Sequence, residues 1–363
     1  MSTAPLTDWV EVLEALLAGA DLDAPTTQWV MAEMLTGGAP PANTAAFLVA
    51  LRAKGETPGE VAGLVAGMMG ASVPADIEGP VVDTCGTGGD RAHTVNISTM
   101  AAVVAAAAGA RVAKHGNRAA SSQSGSADML EALGIAIDLP ASAAAEAGRQ
   151  VGITFFFAPV FHPAMRHIGP IRRELGIRTV FNVLGPLANP AHPAAQVLGV
   201  PNEEIGELMA GVLAERGTKA LVVHGGDGLD ELTVFAPSTV WDLTGPESRR
   251  VTVDPADLGI PVPEPDALRG GSAQRNAAIF RTLLDKPDDP SVAGLRDAVC
   301  LNAAAALVAY AAAGGSLPVD LPDPGTDLLE RLRAALPAAR AALDGGAARE
   351  LLETWISTSQ ELR

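Results

Sequence analysis

The sequence Asp83-Thr84-Cys85-Gly86-Thr87-Gly88-Gly89-Asp90 leads from an apolar stretch into a turn with three glycines among four residues. Glycines lack Cβ atoms, so backbone N–H groups in such a turn can approach an anion closely. The stretch Asn96-Ile97-Ser98-Thr99 then precedes the apolar run 100–108, which predicts amides and hydroxyls at a helix N-terminus. A lone glycine-rich loop is often an ordinary turn, but strand, loop, hydroxyl cluster and helix together predict a phosphate site.

A second element of the same kind follows. The predicted strand 110–113 leads into Lys114-His115-Gly116-Asn117-Arg118, and a cluster of serines (Ser121, Ser122, Ser124, Ser126) precedes a predicted helix ending at Gly134. Two anion-binding loops at the carboxyl ends of adjacent strands of an open α/β sheet indicate a ligand with two phosphate groups.

A third loop, His224-Gly225-Gly226-Asp227-Gly228-Leu229-Asp230-Glu231, presents adjacent carboxylates after a predicted strand. Oxygen ligands of this kind suit Mg²⁺, which keeps several waters and bridges substrate phosphates. An isolated Asp-Glu pair in a loop is usually solvated surface, and only the phosphate loops elsewhere favour a metal site here.

A fourth element consists of the basic stretches 161–166 and 171–176. Basic residues of this kind ordinarily form the exposed face of a helix. They are alternatively suited to bind a carboxylate.

Apolar periodicity and helix-start signals outline two domains. Short helices are predicted at 9–17, 26–35, 44–54 and 57–70, before a junction at 71–80 that contains two prolines and a glycine. We expect a helical domain over 1–75, joined by a later helical segment near 165–190, and an α/β catalytic domain over 76–363. The junction is a candidate hinge.

Beyond the junction, short apolar segments alternate with helical stretches, which predicts a mostly parallel central sheet flanked by helices. The predicted strands lie at 80–85, 110–113, 153–157, 196–200 and 219–223, with a pair of short strands at 233–243 around Pro237-Ser238. Helices are predicted at 302–313, 327–343 and 347–356.

Composition narrows the class of protein. The formal net charge is -17 and no basic run is present, which disfavours nucleic-acid binding. The two cysteines, Cys85 and Cys300, indicate no disulfide framework and favour a reducing cytoplasm. The N-terminus lacks a signal-peptide pattern, and the apolar run 100–110 is too short to span a bilayer. We therefore expect a cytoplasmic protein without membrane or nucleic-acid partners.

The motifs in this order resemble those of anthranilate phosphoribosyltransferases, over nearly the whole chain. The matching stretches are 54–57, 86–90, 96–99, 114–122, 172–176, 182–187 and 228–232. Arg91-Ala92-His93 departs from the family, which often has Gly and Asn there, and Met165 lies where some members have an aromatic residue. These departures bear on affinity or pocket shape and not on the reaction class.

The resemblance implies the residues of the site. Phosphoribosyl diphosphate would contact Gly86, Gly89, Asp90, Thr94, Asn96, Ile97, Ser98, Thr99, Lys114, His115, Gly116, Asn117, Arg118, Ala119, Ala120, Ser121, Ser122 and Ser126. Anthranilate would contact Gly86, Asn117, His162 and Arg172. Ser98, Asp230 and Glu231 would bind Mg²⁺, with two ions per monomer, and Lys114, Asp230 and Glu231 would be the catalytic residues.

The resemblance also implies the reaction, the fold and the assembly. The 5-phosphoribosyl group of 5-phospho-α-D-ribose 1-diphosphate would pass to anthranilate, giving N-(5-phosphoribosyl)anthranilate and diphosphate in L-tryptophan biosynthesis. The fold would be that of the nucleoside phosphorylases and phosphoribosyltransferases, and a homodimer would form through the helical domain. The aromatic amine is neutral at pH 7, so no catalytic base is assigned.

Two rival functions remain. A pyrimidine nucleoside phosphorylase would share the architecture and a Lys-His start to the phosphate loop, but Asn117-Arg118 and the Asp230-Glu231 pair favour the transferase. A non-catalytic nucleic-acid-binding relative would show a basic groove, which the acidic composition disfavours.

Overall fold

The computed structural model describes residues 4–90, 92–119 and 123–363, which form two compact units. The helical unit comprises the described residues up to Pro74 together with Ala158–Pro190. The α/β unit comprises the described residues of Ala75–Phe157 and Ala191–Arg363. The later segment of the helical unit thus begins before the 165–190 region expected from the sequence.

The helical unit is built from short helices, several of which begin at a side-chain cap. Asp8 caps α1 by accepting hydrogen bonds from the backbone N–H groups of Val10 (2.8 Å) and Glu11 (3.3 Å). Thr57 and Glu60 form the predicted capping box of α4, since each side chain accepts from the backbone N–H of the other. The helices are α1 (Trp9–Leu17), α2 (Ala24–Thr36), α3 (Pro41–Lys54), α4 (Pro58–Gly70), α8 (Ala158–Phe161), α9 (Gly169–Leu175) and α10 (Phe181–Leu187), with a 3-10 helix at Pro163–His167.

The starts of α2 and α3 differ from the sequence prediction. Both begin earlier than the predicted 26 and 44, because Pro25 and Pro41 occupy their first turns. Proline lacks an N–H and has a helical φ, so it fits the first turn without loss of a hydrogen bond. The apolar periodicity reports the buried face and begins only after these prolines.

The α/β unit contains a seven-stranded sheet of order β3-β2-β1-β4-β5-β6-β7. The first five strands in this order are parallel, and β6 and β7 are antiparallel to their neighbours. The predicted fold class is confirmed. The strands are β1 (Val82–Gly86), β2 (Val112–Gly116), β3 (Ile153–Phe157), β4 (Ala195–Gly199), β5 (Lys219–Gly225), β6 (Ser238–Asp242) and β7 (Arg249–Val253).

Eight longer helices and two 3-10 helices complete the described part of this unit. They are α5 (Ile97–Ala107), α6 (Ser126–Leu133), α7 (Ala141–Val151), α11 (Glu203–Glu215), α12 (Ala273–Asp285), α13 (Ala293–Ala312), α14 (Leu328–Asp344) and α15 (Ala347–Glu361), with 3-10 helices at Pro255–Leu258 and Pro290–Val292.

The predicted strand pair at 233–243 is wrong. Only β6 forms there, because the residues before it close the loop that follows β5: the Thr233 hydroxyl donates to Asp227 (2.8 Å), and the Gly226 N–H donates to the Pro237 carbonyl (3.0 Å). The strand β6 instead pairs with β5 on one side and with the edge strand β7 on the other. The strand β7 begins with two exposed arginines, so it lacks the apolar pattern that predicted the other strands.

The core of the α/β unit includes the alanine-rich helices α5 and α13, which pack against each other. Ala303, Ala304, Ala305 and Ala306 are fully buried, and their small side chains permit close helix approach. The segment Pro290–Ala312 is long and apolar enough to cross a membrane, but 78% of its most apolar window is buried inside the protein. It is a core helix.

Strand register places the predicted loops at one edge of the sheet. Gly86 of β1 pairs with Gly199 of β4, and Gly116 of β2 pairs with Phe157 of β3. Since these strands are parallel, the loops that follow their carboxyl ends lie on the same side.

Candidate active site

The first loop is held against the third by a short hydrogen bond. The Gly88 N–H donates to the Asp230 carboxylate at 2.7 Å. Gly88 and Gly89 have φ values of 70° and 89°, a backbone conformation that favours glycine. A Cβ atom on Gly86 would lie 2.2 Å from Oδ2 of Asp230. Gly88 and Gly89 therefore permit the turn, and Gly86 leaves room for the Asp230 carboxylate.

Glu231 contacts the start of α5. Its side chain is 8% exposed and accepts a hydrogen bond from the Ser98 N–H at 3.0 Å. The Ser98 hydroxyl also acts on this carboxylate and lowers its pKa. The Thr84 hydroxyl donates to the Ser98 carbonyl at 2.9 Å, which ties this turn to β1. Two carboxylates that are adjacent in sequence thus reach two different parts of the first loop region.

The electrostatics of the two carboxylates are unusual. Burial, repulsion by Glu231 and repulsion by Asp90 raise the pKa of Asp230 well above its ordinary value. Burial raises the pKa of Glu231 to about 7, although Lys114 and the hydrogen bonds from Ser98 act in the opposite direction. Ionisation of both carboxylates at once is therefore unfavourable in this site, because water stabilises their charges poorly.

Lys114, which the sequence assigns to the diphosphate site, lies on β2 and is buried to 1% exposure. Its ammonium group donates a hydrogen bond to the Thr84 carbonyl. The neighbouring His115 N–H donates to the Asp83 carboxylate at 3.3 Å. Lys114 is thus held by β1, where its charge lowers the pKa of Glu231.

The second loop is shaped by Asp128 on α6. Its carboxylate accepts hydrogen bonds from the N–H groups of Ala119 (2.9 Å) and Gly125 (2.8 Å) and from the Arg118 guanidinium (3.1 Å). Arg118 also pairs with Glu131 and lies over the Phe157 ring. These contacts lower the pKa of Asp128, mainly through the two backbone N–H groups, against the opposing effect of burial. The expected contacts Ala120, Ser121 and Ser122, like Arg91, lie outside the described residues.

Asn96 connects the first and second loops. Its amide nitrogen donates to the Ser124 carbonyl at 3.0 Å, and its amide oxygen accepts from the Ser124 hydroxyl at 3.3 Å. Ile97 and Thr99 are buried behind it at 1% exposure. Thr94, two residues before Asn96, forms an isolated antiparallel β-bridge with Arg269.

The four expected anthranilate contacts are divided between the units. Gly86 and Asn117 lie in the α/β unit, whereas His162 and Arg172 lie in the helical unit. His162 is 4% exposed, and its Nε2 atom lies 2.8 Å from the Ala188 carbonyl. Burial lowers the pKa of His162, so it is a neutral donor to Ala188.

Arg172 lies over the Phe181 ring, with 5.2 Å between the guanidinium carbon and the ring centroid. Among the described residues it forms no ion pair with a carboxylate. Burial lowers the pKa of Arg172. A partly buried guanidinium of this kind is suited to bind a carboxylate in a fork geometry.

The donor set fits magnesium better than a soft metal. In the described part of the chain no three His, Cys, Asp or Glu side chains form a metal-binding cluster. Asp230, Glu231 and the Ser98 hydroxyl instead offer oxygen atoms. Mg²⁺ is commonly held by one or two carboxylates together with waters and substrate phosphates. Burial is the main cause that raises the pKa of both carboxylates, and a bound cation would favour their ionised forms.

Sequence reasoning missed several residues that build the site. Asp83 and Thr84 of β1 hold β2 and α5, and Gly199 leaves room for the backbone of Asp230. Asp128 follows Gly125 at the spacing of a capping box, which was a usable local signal. Asn276, which contacts Asn96, is distant in sequence and gave no such signal.

Comparison with known proteins agrees with this geometry. Residues 10–72 match the helical bundle domain of the glycosyl transferase family, and residues 78–349 match its a/b domain. Fold and site together define a glycosyltransferase.

Among the relatives, an anthranilate phosphoribosyltransferase from Nocardioides is 51% identical over 354 residues, which cover 98% of this chain and 99% of that protein. The crystal structure of the enzyme of that name from Thermus thermophilus matches with a TM-score of 0.85 and 39% identity, covering 96% of this chain and 99% of that one. The chain belongs to the anthranilate phosphoribosyltransferase family.

A structure from Saccharomyces cerevisiae described as anthranilate phosphoribosyltransferase in complex with phosphoribosyl diphosphate and magnesium also matches. Its TM-score is 0.84 at 26% identity, with 97% of this chain and 98% of that chain covered.

Proposed function

We propose that the three loops of the α/β unit bind phosphoribosyl diphosphate and magnesium in the transfer of a phosphoribosyl group to anthranilate. The reaction is the one that defines the family to which the chain belongs. The observation that carries the site assignment is the contact of Asp230 with Gly88 and of Glu231 with Ser98. It brings the proposed metal ligands to the phosphate loop.

The substrate phosphates would accept hydrogen bonds from backbone amides and from polar side chains. Backbone amides of the first loop and the start of α5 would donate hydrogen bonds, together with Asn96, Ser98 and Thr99. The remaining proposed contacts are Gly86, Gly89, Asp90, Thr94, Ile97, Lys114, His115, Gly116, Asn117, Arg118, Ala119 and Ser126, with Ala120, Ser121 and Ser122 outside the described residues.

Charge stabilisation is the main task of these residues, because the departing diphosphate takes up negative charge as its bond to the sugar breaks. A unit cation about 4 Å from a unit negative charge contributes roughly 4 kcal/mol at an effective dielectric constant of about 20. A helix terminus contributes about 0.3 to 1 kcal/mol. We therefore assign Lys114 and magnesium a larger effect than the helix terminus, with Asp230 and Glu231 as the residues that would hold the metal, and magnesium when bound supplies the charge that neutralises the diphosphate.

Two ions per monomer are proposed, with Ser98, Asp230 and Glu231 as ligands. The support is the oxygen donor set and the unfavourable burial of two carboxylates. Lys114 keeps two further N–H groups beyond its bond to Thr84, since an ammonium group has three donors.

Anthranilate is proposed to bind through Arg172, with Gly86, Asn117 and His162 as further contacts. Arg172 would hold the carboxylate by paired hydrogen bonds. His162 supports this as a positioning residue, because its Nε2 atom is already used by Ala188. The attacking amine is neutral at pH 7, so orientation suffices and no base is assigned.

Assembly and location are also proposals. A homodimer through the helical unit is supported by the exposed apolar side chains Val10, Leu17 and Val49, which are 67%, 75% and 43% exposed on α1 and α3. A cytoplasmic location is supported by two buried free cysteines. Light scattering of the wild type and of Leu17→Glu tests the dimer, which the substitution should weaken.

The function is tested by mixing the protein with Mg²⁺, phosphoribosyl diphosphate and anthranilate and following the loss of anthranilate fluorescence. We expect loss of fluorescence with Mg²⁺ and none with excess chelator. Phosphorolysis of thymidine without consumption of anthranilate would instead identify a nucleoside phosphorylase.

A further inference from the structure

Asn276 is a buried polar residue outside the motifs that define the site. It lies in the second turn of α12, is 1% exposed, and donates a hydrogen bond from its amide nitrogen to the amide oxygen of Asn96 at 2.9 Å. Its own oxygen accepts from the Gly271 N–H at 2.8 Å. Because a backbone N–H can only donate, the Asn276 amide has one orientation, with its nitrogen toward Asn96.

This orientation fixes that of Asn96. The Asn96 oxygen receives hydrogen bonds from Asn276 and from the Ser124 hydroxyl, while its nitrogen donates to the Ser124 carbonyl. Rotating the Asn96 amide by 180° would set nitrogen against nitrogen at Asn276 and oxygen against oxygen at the Ser124 carbonyl, whereas the Ser124 hydroxyl can donate or accept. An amide nitrogen carries two hydrogens, so one N–H of Asn96 remains beyond the contacts among the described residues.

The segment that leads into α12 holds the backbone around Asn96 as well. The Val95 N–H donates to the Leu268 carbonyl (3.0 Å), and the Gly270 N–H donates to the His93 carbonyl (2.9 Å). A Cβ atom on Gly270 would lie 2.4 Å from the Thr94 carbonyl oxygen. Residues 268–276 therefore lie along the stretch 93–96.

The same helix is connected to the second loop. α12 packs against α6, which begins two residues after Ser124. Ser124 is the residue through which Asn96 joins the two loops. Asn276 thus lies where the first loop, the second loop and α12 meet, and it is the residue of α12 that hydrogen-bonds to Asn96.

We infer that Asn276 is a positioning residue for phosphoribosyl diphosphate, which orients the second N–H of the Asn96 amide for a phosphate oxygen. The inference rests on the proposed function, specifically on Asn96 as a contact of that substrate. It assigns a role in substrate affinity to a residue that does not touch the substrate.

Asn276→Asp is the sharpest test. The substituted carboxylate still accepts from the Gly271 N–H but sets an oxygen against the Asn96 oxygen, so the Asn96 amide loses its orientation. We expect the KM for phosphoribosyl diphosphate to rise about 10-fold, equivalent to about 1.4 kcal/mol. We expect kcat and the KM for anthranilate to change by less than about 3-fold, as for loss of ground-state binding of one substrate. Calorimetric titration with phosphoribosyl diphosphate and Mg²⁺ measures the same loss directly.

Ser272→Ala is the matched control, because the Ser272 hydroxyl caps α12 by accepting from the Arg275 N–H and has no bond to Asn96. It should lower the unfolding midpoint without raising the KM for phosphoribosyl diphosphate. Asn276→Ala, which removes the donor without adding charge, should raise that KM by about 3-fold or more, as expected for loss of one hydrogen bond. If Asn276→Asp does not fold, the KM of Asn276→Ala for phosphoribosyl diphosphate tests the inference instead.

Three outcomes overturn the inference in different ways. A wild-type KM in both Asn276 variants, with a raised KM in Asn96→Ala, would show that Asn96 binds substrate without help from Asn276. A wild-type KM in Asn96→Ala would remove the substrate contact itself, while activity of the wild type would still support the family's reaction. Additive effects in the Asn96→Ala/Asn276→Ala double variant would show that the two residues act independently.

Discussion

The backbone of Asp230 occupies the space that a side chain on Gly199 would need. A Cβ atom built on Gly199 lies 1.6 Å from the Asp230 carbonyl oxygen. Gly199 ends β4, beside Gly86 of β1. Because Gly199 has no side chain, the backbone of the third loop can lie directly against the end of β4.

Gly199→Ala is therefore expected to displace Asp230. Overpacking of this kind typically costs about 1 to 3 kcal/mol of stability, and we expect turnover to fall by roughly 10²-fold or more, as after loss of one preorganised stabilising group. Urea unfolding and the fluorescence assay measure the two effects. Gly325→Ala is the control, since a Cβ there meets nothing within 4 Å. Wild-type turnover in Gly199→Ala would show that the position of Asp230 does not limit the reaction.

Asp230→Asn tests the carboxylate without removing its volume. The amide oxygen can still accept from the Gly88 N–H, but the charge proposed for magnesium is lost. We expect turnover to fall by about 10²-fold or more, and Mg²⁺ to increase the unfolding midpoint less than in the wild type. Glu353→Gln, which alters an exposed ion pair with Arg281, serves as the control. Unchanged turnover and Mg²⁺ dependence would remove Asp230 from the metal site.

Glu231 should make the metal-free protein less stable as pH rises. Its pKa is about 7 in the folded protein against an ordinary 4.5, so the folded state binds the proton more tightly. The contribution of Glu231 to stability must then fall as pH rises from about 4.5 to about 7, because its carboxyl is protonated to a greater extent in the folded state than in the unfolded state in that range. Urea midpoints at several pH values with a chelator present measure this fall.

The same series with Glu231→Gln should show a smaller fall, because the amide does not titrate. Saturating Mg²⁺ should also reduce it in the wild type, since a cation favours the ionised carboxylate. An identical pH dependence in wild type and Glu231→Gln would assign the effect to other groups.

Arg172→Lys is expected to raise the KM for anthranilate. The ammonium group cannot form the paired hydrogen bonds of a guanidinium, so we expect a rise of about 10-fold, equivalent to about 1.4 kcal/mol. The KM for phosphoribosyl diphosphate should stay close to the wild-type value. Arg173→Lys is a matched control on the same helix, because Arg173 is exposed. Equal anthranilate KM values in the two variants would contradict a carboxylate contact by Arg172.

Local patterns predicted much of the fold because they depend on neighbours in the sequence. The capping box of Thr57 and Glu60 and the strand 153–157 follow from periodicity and capping chemistry. The edge strand β7 was not predictable from apolar content, since Arg249 and Arg250 are exposed. Strand pairing with β6 stabilises it instead.

The candidate site likewise combines features that the sequence predicts with contacts that it does not predict. The glycine-rich loops and the Asp230-Glu231 pair are visible in the sequence, and the structure brings them together. The contact of Lys114 with the Thr84 carbonyl and that of Asn276 with Asn96 are not visible, because each joins residues that are distant along the chain. Long-range hydrogen bonds leave no periodic signal.

The helical unit is assembled from two stretches of chain, which constrains the order of events during synthesis. The Val73 N–H bonds to the Phe161 carbonyl at 2.8 Å, and α10 packs against α4. At about 5 to 20 residues per second, a ribosome needs several seconds to make the intervening chain. During that interval α4 has no α10 to cover it, so a nascent chain paused before residue 158 should be more sensitive to proteases at α4 than the finished protein.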